Sequence, residues 1–335
     1  ISLTRTPTIS LASINLKWLL QQQDLVSIPS LGAQPHTLDT EFLLSGQLDP
    51  IELDAELAQL KSHFLGTYVE ALWLYYLRRS KRYRLIANGL QVNIEGKTVG
   101  EFDFVVEDLL ASDDQDRFIH QELAIKFYLA LPVSDQKKPY WFGSNHIDRL
   151  DLKARHLKEH QLRLSLVPEA QQLLDELGAP NVTRECIIRG RLFFPHDEKL
   201  RRLCHEYESD TKHITKGTWY TLSEFIHVNR DNTSSNYFIL DKVNWMSFEI
   251  AEEMAVAYSE AVEQLQNLVG SKKRGVMVKI SKQHQSQRRD DIAFVVHDNW
   301  SKACYVSLVE SLEQPRHPCK PPVCKSNART SSSNL

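Results

Sequence analysis

The chain has 335 residues, of which 42% are hydrophobic and 25% are charged, and its formal net charge is −3. This composition is typical of a globular protein, and the length is sufficient for two domains of about 100–150 residues each. The weakly acidic balance excludes a global basic field that would draw the whole molecule onto nucleic acid or an anionic membrane. Any binding of that kind must therefore be local.

The N-terminal sequence and the cysteines predict a cytoplasmic protein with no membrane partner. The opening stretch ISLTRTPTISLASINLKWLL has no basic leader followed by a long apolar run, and no segment approaches the ~20 apolar residues of a membrane span. The five cysteines are odd in number and scattered along the chain, which does not fit a disulfide framework. We therefore expect a reducing environment.

The first half of the chain predicts an α/β domain over residues 49–165, preceded by a helical and extended segment at 1–48. Apolar spacing from Asp49 to about Arg79 predicts one amphipathic helix or two in series. The period then changes, and the runs RLIANGLQVNI, VGEFDFVV and IHQELAIKFYL predict an antiparallel meander. A charged helix, IDRLDLKARHLKEHQL, is expected to follow it.

Residues 166–312 are predicted to form a second mixed α/β region with no assigned role. A helix is expected from Ser247 to about Val269, and the strand candidates are IIRGRLFF, NYFILD, GVMVKIS and IAFVVHD. Residues 313–335 are rich in Pro, Ser and Lys and are predicted to be disordered.

Several carboxylates in the first half are expected to converge. Glu101 and Asp103 lie two residues apart in VGEFDFVV, and alternation along a strand places both on the face opposite its aromatic residues. The next strand carries Glu122 and Lys126 on one face. Glu70 lies among large apolar side chains in the preceding helix, where an unpaired carboxylate would be unfavourable. We expect these groups to meet where the helix crosses the hairpin.

This set of side chains predicts metal-assisted hydrolysis of a phosphodiester. Clustered carboxylates repel one another unless a proton or a cation intervenes, and their hard oxygen atoms suit Mg²⁺ or Mn²⁺. A neighbouring lysine can position a water molecule and stabilise charge on phosphate, while the metal acts as a Lewis acid.

The run LGTYVEALWLYYLRRSKRYRLIANGLQV, with VGEFDFVVED and HQELAIKFYL after it, resembles the core of the PD-(D/E)XK nuclease superfamily over roughly residues 60–131. The resemblance implies a restriction-endonuclease-like core of helix, antiparallel meander and further helix. It also implies a Mg²⁺ or Mn²⁺ cofactor and a nucleic-acid partner, DNA rather than RNA. It places Glu70 at the helix glutamate, Asp103 at the metal-binding aspartate and Lys126 at the catalytic lysine.

The whole chain resembles an uncharacterised bacterial family, domain of unknown function eighteen fifty-three. The segments that carry this resemblance are GEFDF, ELAIKFYL and DRLDLK.

The sequence departs from the superfamily pattern at one position. An acid is expected two residues before the lysine, and Ala124 stands there. Glu122 is one step farther back on the same face, ~13 Å from Lys126 between Cα atoms on an ideal strand, against ~6.6 Å for the usual spacing. Either Glu122 or Glu101 joins Asp103 as a metal ligand, or metal binding is lost. In that last case the protein is a catalytically degenerate scaffold for nucleic acid or another partner.

Two polar stretches are candidate contacts for a nucleic-acid backbone. One is the run RRSKRYR, whose alternative role is to place cations at a helix C-terminus. The other is the stretch GSNHIDRLDLK, which follows the hairpin and begins a helix. Its alternative role is to form an exposed helix face of ion pairs. The candidate residues are Arg78, Arg79, Lys81, Arg82, Arg84, Asn145 and Lys153.

Overall fold

The computed structural model describes residues 10–26, 39–112, 117–133, 138–204, 214, 216–232, 234–284 and 287–313. In these ranges the chain has a mixed α/β fold built on one nine-stranded sheet. The strands are β1 (Tyr83–Ile94), β2 (Lys97–Asp108), β3 (Phe118–Leu131), β4 (Tyr140–Phe142), β5 (Thr183–Pro195), β6 (Lys216–Thr221), β7 (Asn236–Leu240), β8 (Val276–His284) and β9 (Gln287–Val296).

The helices cover both faces of the sheet. They are α1 (Leu11–Gln21), α2 (Thr40–Leu44), α3 (Pro50–Leu57), α4 (Leu65–Arg79), α5 (Leu150–Glu159), α6 (Pro168–Glu176), α7 (Glu198–Arg202), α8 (Leu222–Asn229), α9 (Tyr258–Leu265) and α10 (Trp300–Glu313). A 3-10 helix at Gln161–Leu166 follows α5 directly. None of these described helices combines the length and the apolarity that crossing a bilayer requires.

The strand order is β1-β2-β3-β5-β6-β9-β8-β7, and β4 pairs with β3 outside this path. The strands β1, β2 and β3 form an antiparallel meander, whereas β3, β5, β6 and β9 run parallel to one another. The β3–β5 ladder joins Ile119–Leu129 to Thr183–Phe193. Strands from both sides of residue 165 therefore share one sheet, and the domain boundary suggested there remains a prediction.

The predicted order of helix, antiparallel meander and further helix is confirmed. Two helices in series, α3 and α4, precede the meander, and α5 follows it. Helix α4 buries Val69, Leu72, Trp73 and Tyr76 against the sheet, as its apolar spacing predicts. The β1–β2 hairpin turns at Glu95 and Gly96, both with positive φ, which is the geometry that a tight two-residue turn demands.

The two faces of β3 pack against different helices. Ile119 and Leu123 join the apolar cluster under α4, whereas Ala124 and Tyr128 join the cluster under α5 and the 3-10 helix. Alternation along the strand places Glu122 and Lys126 on the face of Ala124. These two candidate residues consequently lie beneath α5 and not beneath α4.

The helix predicted from Ser247 begins only at Tyr258 and continues as a π-helical turn at Gln266–Ser271. The residues before it are held by other contacts. Val256 exchanges two backbone hydrogen bonds with Tyr237 of β7, at N···O distances of 3.0 and 2.8 Å. Phe248 has a φ of 60°, which a helix cannot contain. Tertiary pairing thus overrides the helical pattern of this stretch.

Strand β6 and helix α10 are elements that the sequence did not predict.

The described cysteines, Cys186, Cys204 and Cys304, are free and buried. Of the segment predicted to be disordered, 313–335, all but Glu313 lies outside the described residues.

Candidate active site

The ladder between β2 and β3 stops at the pair Phe104–Gln121, and Asp103 is the next residue of β2. Its carboxylate oxygen Oδ2 accepts a hydrogen bond from the backbone N–H of Leu123 at 2.9 Å. The side chain therefore takes over the acceptor role of a strand carbonyl at the point where the two strands part. Asp103 faces an opening between the strands instead of a regular ladder.

The regular alternation of side chains along β2 also breaks at this point. Phe104 and Val106 pack in the cluster under α4, whereas Phe102 and Val105 pack on the other side, in the cluster that includes α6. The expectation that Phe102 shares a face with Phe104 is therefore wrong. The change of face coincides with the end of the β2–β3 ladder, and Gly89 on the neighbouring strand β1 has a φ of 57°.

A cleft of 220 Å³ lies between α4 and the β1–β2 hairpin. Three carboxylates line it: Glu70 from α4, and Glu101 and Asp103 from β2. Its other lining side chains include an apolar set from Leu60, Ala71, Leu74 and Phe104. Three of the five residues expected to converge are thus brought together here, whereas Glu122 and Lys126 do not line this cleft.

These carboxylates influence one another electrostatically. Partial burial, followed by the charges of Asp103 and Glu101, raises the pKa of Glu70. Burial and the charge of Glu122 raise the pKa of Asp103 to about 7, against the opposing effects of the Leu123 N–H and the Lys153 ammonium. Such a group of acids favours the uptake of a proton or the binding of a cation.

Glu122 lies on the far side of Asp103, in the core under α5. Its Oε1 is 2.8 Å from Nε2 of His120, and its Oε2 accepts a hydrogen bond from Nε2 of Gln161 at 2.5 Å. Burial raises the pKa of Glu122 to about 8, although Lys153 opposes the change, and burial lowers the pKa of His120 to about 3. A neutral imidazole and a largely protonated carboxyl group therefore form this pair at pH 7.

Lys126 is bound to an acid that follows it in the chain. Its Nζ donates a hydrogen bond to Oδ2 of Asp148 at 2.6 Å, and the hydroxyl of Tyr128 donates to Oδ1 of Asp148 at 3.2 Å. Asp148 is itself held by a turn, because its backbone N–H donates to Oδ1 of Asn145 at 3.0 Å. Asn145, a predicted nucleic-acid contact, thus has a structural role in the turn.

Lys153 projects from α5 toward Glu122. Its Nζ donates to Oε1 of Gln161 at 2.8 Å, so Gln161 bridges Lys153 and Glu122. Burial lowers the pKa of Lys153, and the charges of Glu122 and Asp103 act in the opposite direction.

Two residues of this region were not assigned to the site by sequence reasoning: His120 and Gln161. The position of His120, two residues before Glu122 on one strand, was a usable signal, since it places both on one face. Gln161 had no comparable signal, because it reaches β3 only through the path of the chain after the hairpin. Asp148 belongs to the segment after the hairpin that was expected to border the site, and its position beside Lys126 agrees with that expectation.

The basic run before the meander is paired with carboxylates of the fold. Each of its five cations lies within 4.0 Å of an acid, the criterion for an ion pair. The pairs are Arg78 with Glu56, Arg79 with Glu52 and Glu56, Lys81 with Glu41, Arg82 with Asp108, and Arg84 with Glu107. A phosphate contact by this run remains a prediction, and it would have to compete with these acids.

The donor set of the cleft is compatible with Mg²⁺ or Mn²⁺. Across the part of the chain that the structure describes, no group of three or more His, Cys, Asp or Glu side chains is arranged to hold a metal ion. Mg²⁺, however, is commonly held by one or two carboxylates together with water and substrate phosphate. Glu70 and Oδ1 of Asp103 have no hydrogen-bond partner among the described residues, so their oxygen atoms are available for this purpose.

The family described as "Domain of unknown function (DUF1853)" matches residues 14–296 of the chain. The chain therefore belongs to this family, and the whole-chain resemblance seen in the sequence is confirmed. No curated protein and no solved structure matches the chain. The relation to the PD-(D/E)XK superfamily stays a prediction.

Proposed function

We propose that the protein is a metal-dependent phosphodiesterase that acts on nucleic acid, with DNA as the favoured substrate. The observation that carries the proposal is the position of Asp103. Its carboxylate lies where β2 and β3 part, in a cleft shared with Glu70 and Glu101, and within electrostatic reach of Glu122. The order of a helix, an antiparallel meander and a parallel strand around it adds support from the fold.

In this proposal Asp103 holds the metal, and Glu70 or Glu101 completes the protein ligands. Glu122 is less suited to be a ligand than the sequence suggested, because both of its oxygen atoms already have protein partners. A bound Mg²⁺ or Mn²⁺ would act as a Lewis acid on the phosphoryl oxygen. Glu70, exposed at the edge of the cleft and with a raised pKa, is the group that can accept a proton from an attacking water.

The test is cleavage of single-stranded, duplex and branched DNA and of RNA with Mg²⁺ or Mn²⁺. We expect Asp103→Asn and Glu70→Gln to lose at least about a hundredfold in rate, since removing a group that stabilises developing charge has effects of this size. Glu169→Gln, which changes an exposed acid of α6, serves as the matched control and should retain full activity. Equal rates for wild type and Asp103→Asn would overturn the proposal.

A second candidate function is that of a non-catalytic scaffold that binds nucleic acid or another partner. This candidate is favoured because two predicted catalytic residues already have partners in the protein. Lys126 is bound to Asp148, and Glu122 is bound to His120 and Gln161. The two candidates differ in metal binding. A ligand that binds only the folded state raises the unfolding midpoint, so a Mn²⁺-dependent rise that Asp103→Asn abolishes favours the phosphodiesterase. An unchanged midpoint at millimolar Mn²⁺ favours the scaffold.

A further inference from the structure

Two lysines reach the region beneath α5, and they have different partners. Lys126 lies on β3, and its ammonium group is 2.6 Å from Oδ2 of Asp148. A close acid that a turn holds in place neutralises most of the charge of such a lysine at longer range. Lys126 therefore brings little net charge to the carboxylates of the opening.

Among the described residues, no carboxylate forms a direct ion pair with Lys153. Its ammonium donates to Oε1 of Gln161, and the amide group of Gln161 donates in turn to Oε2 of Glu122. Glu122 and Asp103 are the carboxylates that attract it electrostatically. The side chain is mostly buried, so this attraction is screened less than it would be on the surface.

The identity of residue 124 is consistent with this arrangement. On β3, Ala124 lies midway between Glu122 and Lys126 on the same face, and Lys153 is electrostatically coupled to both of those residues. Ala124 has no side-chain atoms beyond Cβ, so this face of the strand is open to a long side chain from α5. This face of β3 thus leaves room for the cation that α5 supplies to Glu122.

We infer that Lys153, and not Lys126, is the cation of the Asp103–Glu122 carboxylates, and that Gln161 is the positioning residue that holds it there. Lys126 acts instead as a structural tie to Asp148 and the turn that follows β4. The assignment has a chemical consequence for the site. A fixed ammonium beside the acids provides part of the positive charge that a metal would otherwise supply, and it competes with that metal.

The first experiment does not depend on metal or substrate. It is a double-mutant cycle on urea unfolding of the full chain in the presence of a chelator, at about pH 8.5, where Glu122 is mostly ionised. Glu122→Gln is combined with Lys153→Met and, separately, with Lys126→Met. Methionine keeps most of the length of the lysine stem in both cases.

We expect the Lys153–Glu122 pair to couple by about threefold or more in the unfolding equilibrium constant, and the Lys126–Glu122 pair to show no coupling beyond error. Gln161→Leu should reduce the Lys153–Glu122 coupling, since it removes the bridge. A larger coupling for Lys126 than for Lys153 would overturn the assignment. If Lys153→Met alone fails to fold, Lys153→Arg, which keeps the charge, should fold with nearly wild-type stability, and Glu122→Gln should change the stability of the Lys153→Arg protein as much as it changes that of wild type. A Lys153→Arg protein that also fails to fold counts against the inference.

The second experiment rests on the proposed function, because it uses Mn²⁺ alone as a probe and follows its affinity by calorimetry. Removing a neighbouring cation should tighten Mn²⁺ binding, so Lys153→Met is expected to bind several-fold more tightly than wild type. Lys126→Met and Lys153→Arg should leave the affinity within about twofold of wild type. The opposite ranking of the two methionine variants would overturn the inference. A wild type that binds no Mn²⁺ would count against the proposed function alone, and the unfolding cycle would still decide the role of Lys153.

Discussion

The carboxylate of Asp103 accepts a hydrogen bond from the backbone N–H of Leu123 at 2.9 Å, beyond the last residue pair of the β2–β3 ladder. Asp103→Ala leaves this N–H without its acceptor and should lower the free energy of unfolding by about 1–3 kcal/mol. Asp103→Asn keeps an acceptor and removes a carboxylate whose ionisation is disfavoured by burial, so its stability should equal or exceed that of wild type. Urea denaturation in a chelating buffer distinguishes the two, and equal losses would refute this account of the strand opening.

A second prediction concerns Gly190, which pairs with Lys126 across the β3–β5 ladder. Its φ is 151°, and a Cβ atom added there would lie 1.6 Å from the carbonyl oxygen of Lys126. Gly190→Ala must therefore displace backbone in the centre of the sheet and should cost more than about 4 kcal/mol.

The matched control is Gly66→Ala in α4, where a Cβ atom would meet nothing within 4 Å. That change should stabilise the protein by about 0.5–1 kcal/mol, because alanine is the better helix former. Thermal unfolding of the two variants measures the contrast. A tolerated Gly190→Ala would show that the close approach of β5 to Lys126 is not required.

The pH dependence of stability should depend on Glu122. Its folded-state pKa is raised from 4.5 to about 8, so between these values the folded protein keeps a proton that the unfolded chain has lost. Stability therefore falls as pH rises through this window. Glu122→Gln resembles the protonated form and should remove this component, of order 2–4 kcal/mol.

Unfolding of wild type and Glu122→Gln at several pH values between 5 and 8.5, in a chelating buffer, measures this difference. Burial lowers the pKa of His120 to about 3. Its effect on stability falls at more acidic pH, and His120 is present in both proteins. Identical slopes for the two proteins would mean that Glu122 is ionised in the folded state throughout the window.

The basic run offers a test that separates a structural role from a role in binding. Arg82 makes a two-pronged ion pair with the buried Asp108, its Nη2 lying 2.7 Å from Oδ2. Arg82→Ala leaves a buried charge without its partner and should cost about 2–4 kcal/mol. Lys81 and its partner Glu41 are mostly exposed, so Lys81→Ala should cost less than about 0.5 kcal/mol.

If the run also contacts phosphate, Lys81→Ala should weaken DNA binding and reduce its salt dependence while the protein stays fully stable. Fluorescence anisotropy at two salt concentrations measures this effect. Unchanged affinity would leave the run with a structural role only.

The sequence was sufficient to predict the elements around the site. Period-3.6 spacing identified α4, which has one face in the core, and runs rich in β-branched and aromatic residues identified all three strands of the meander. Glu70, Glu101 and Asp103 were expected together, and they line one cleft. Local pattern and tertiary packing agree in this part of the chain.

The sequence could not show which helix covers which face of β3. Alternation shows that Glu122 and Lys126 share a face, but the covering element is decided by the path of the chain after the hairpin. The sequence also did not show that the β2–β3 ladder ends at Asp103 or that Gly89 has a positive φ, because a break in pairing depends on both strands. For the same reason the contribution of Gln161 to the site had no sequence signal.

The shared sheet has a consequence for fragments of this protein. Residues Ile119–Leu129 of β3 are paired along their full length with β5, which lies beyond residue 165. A fragment ending there would leave this row of backbone N–H and C=O groups without its neighbour, and exposed strand edges of that length recruit other chains. We expect residues 49–165 expressed alone to self-associate, and the two halves of the chain to melt together in one transition.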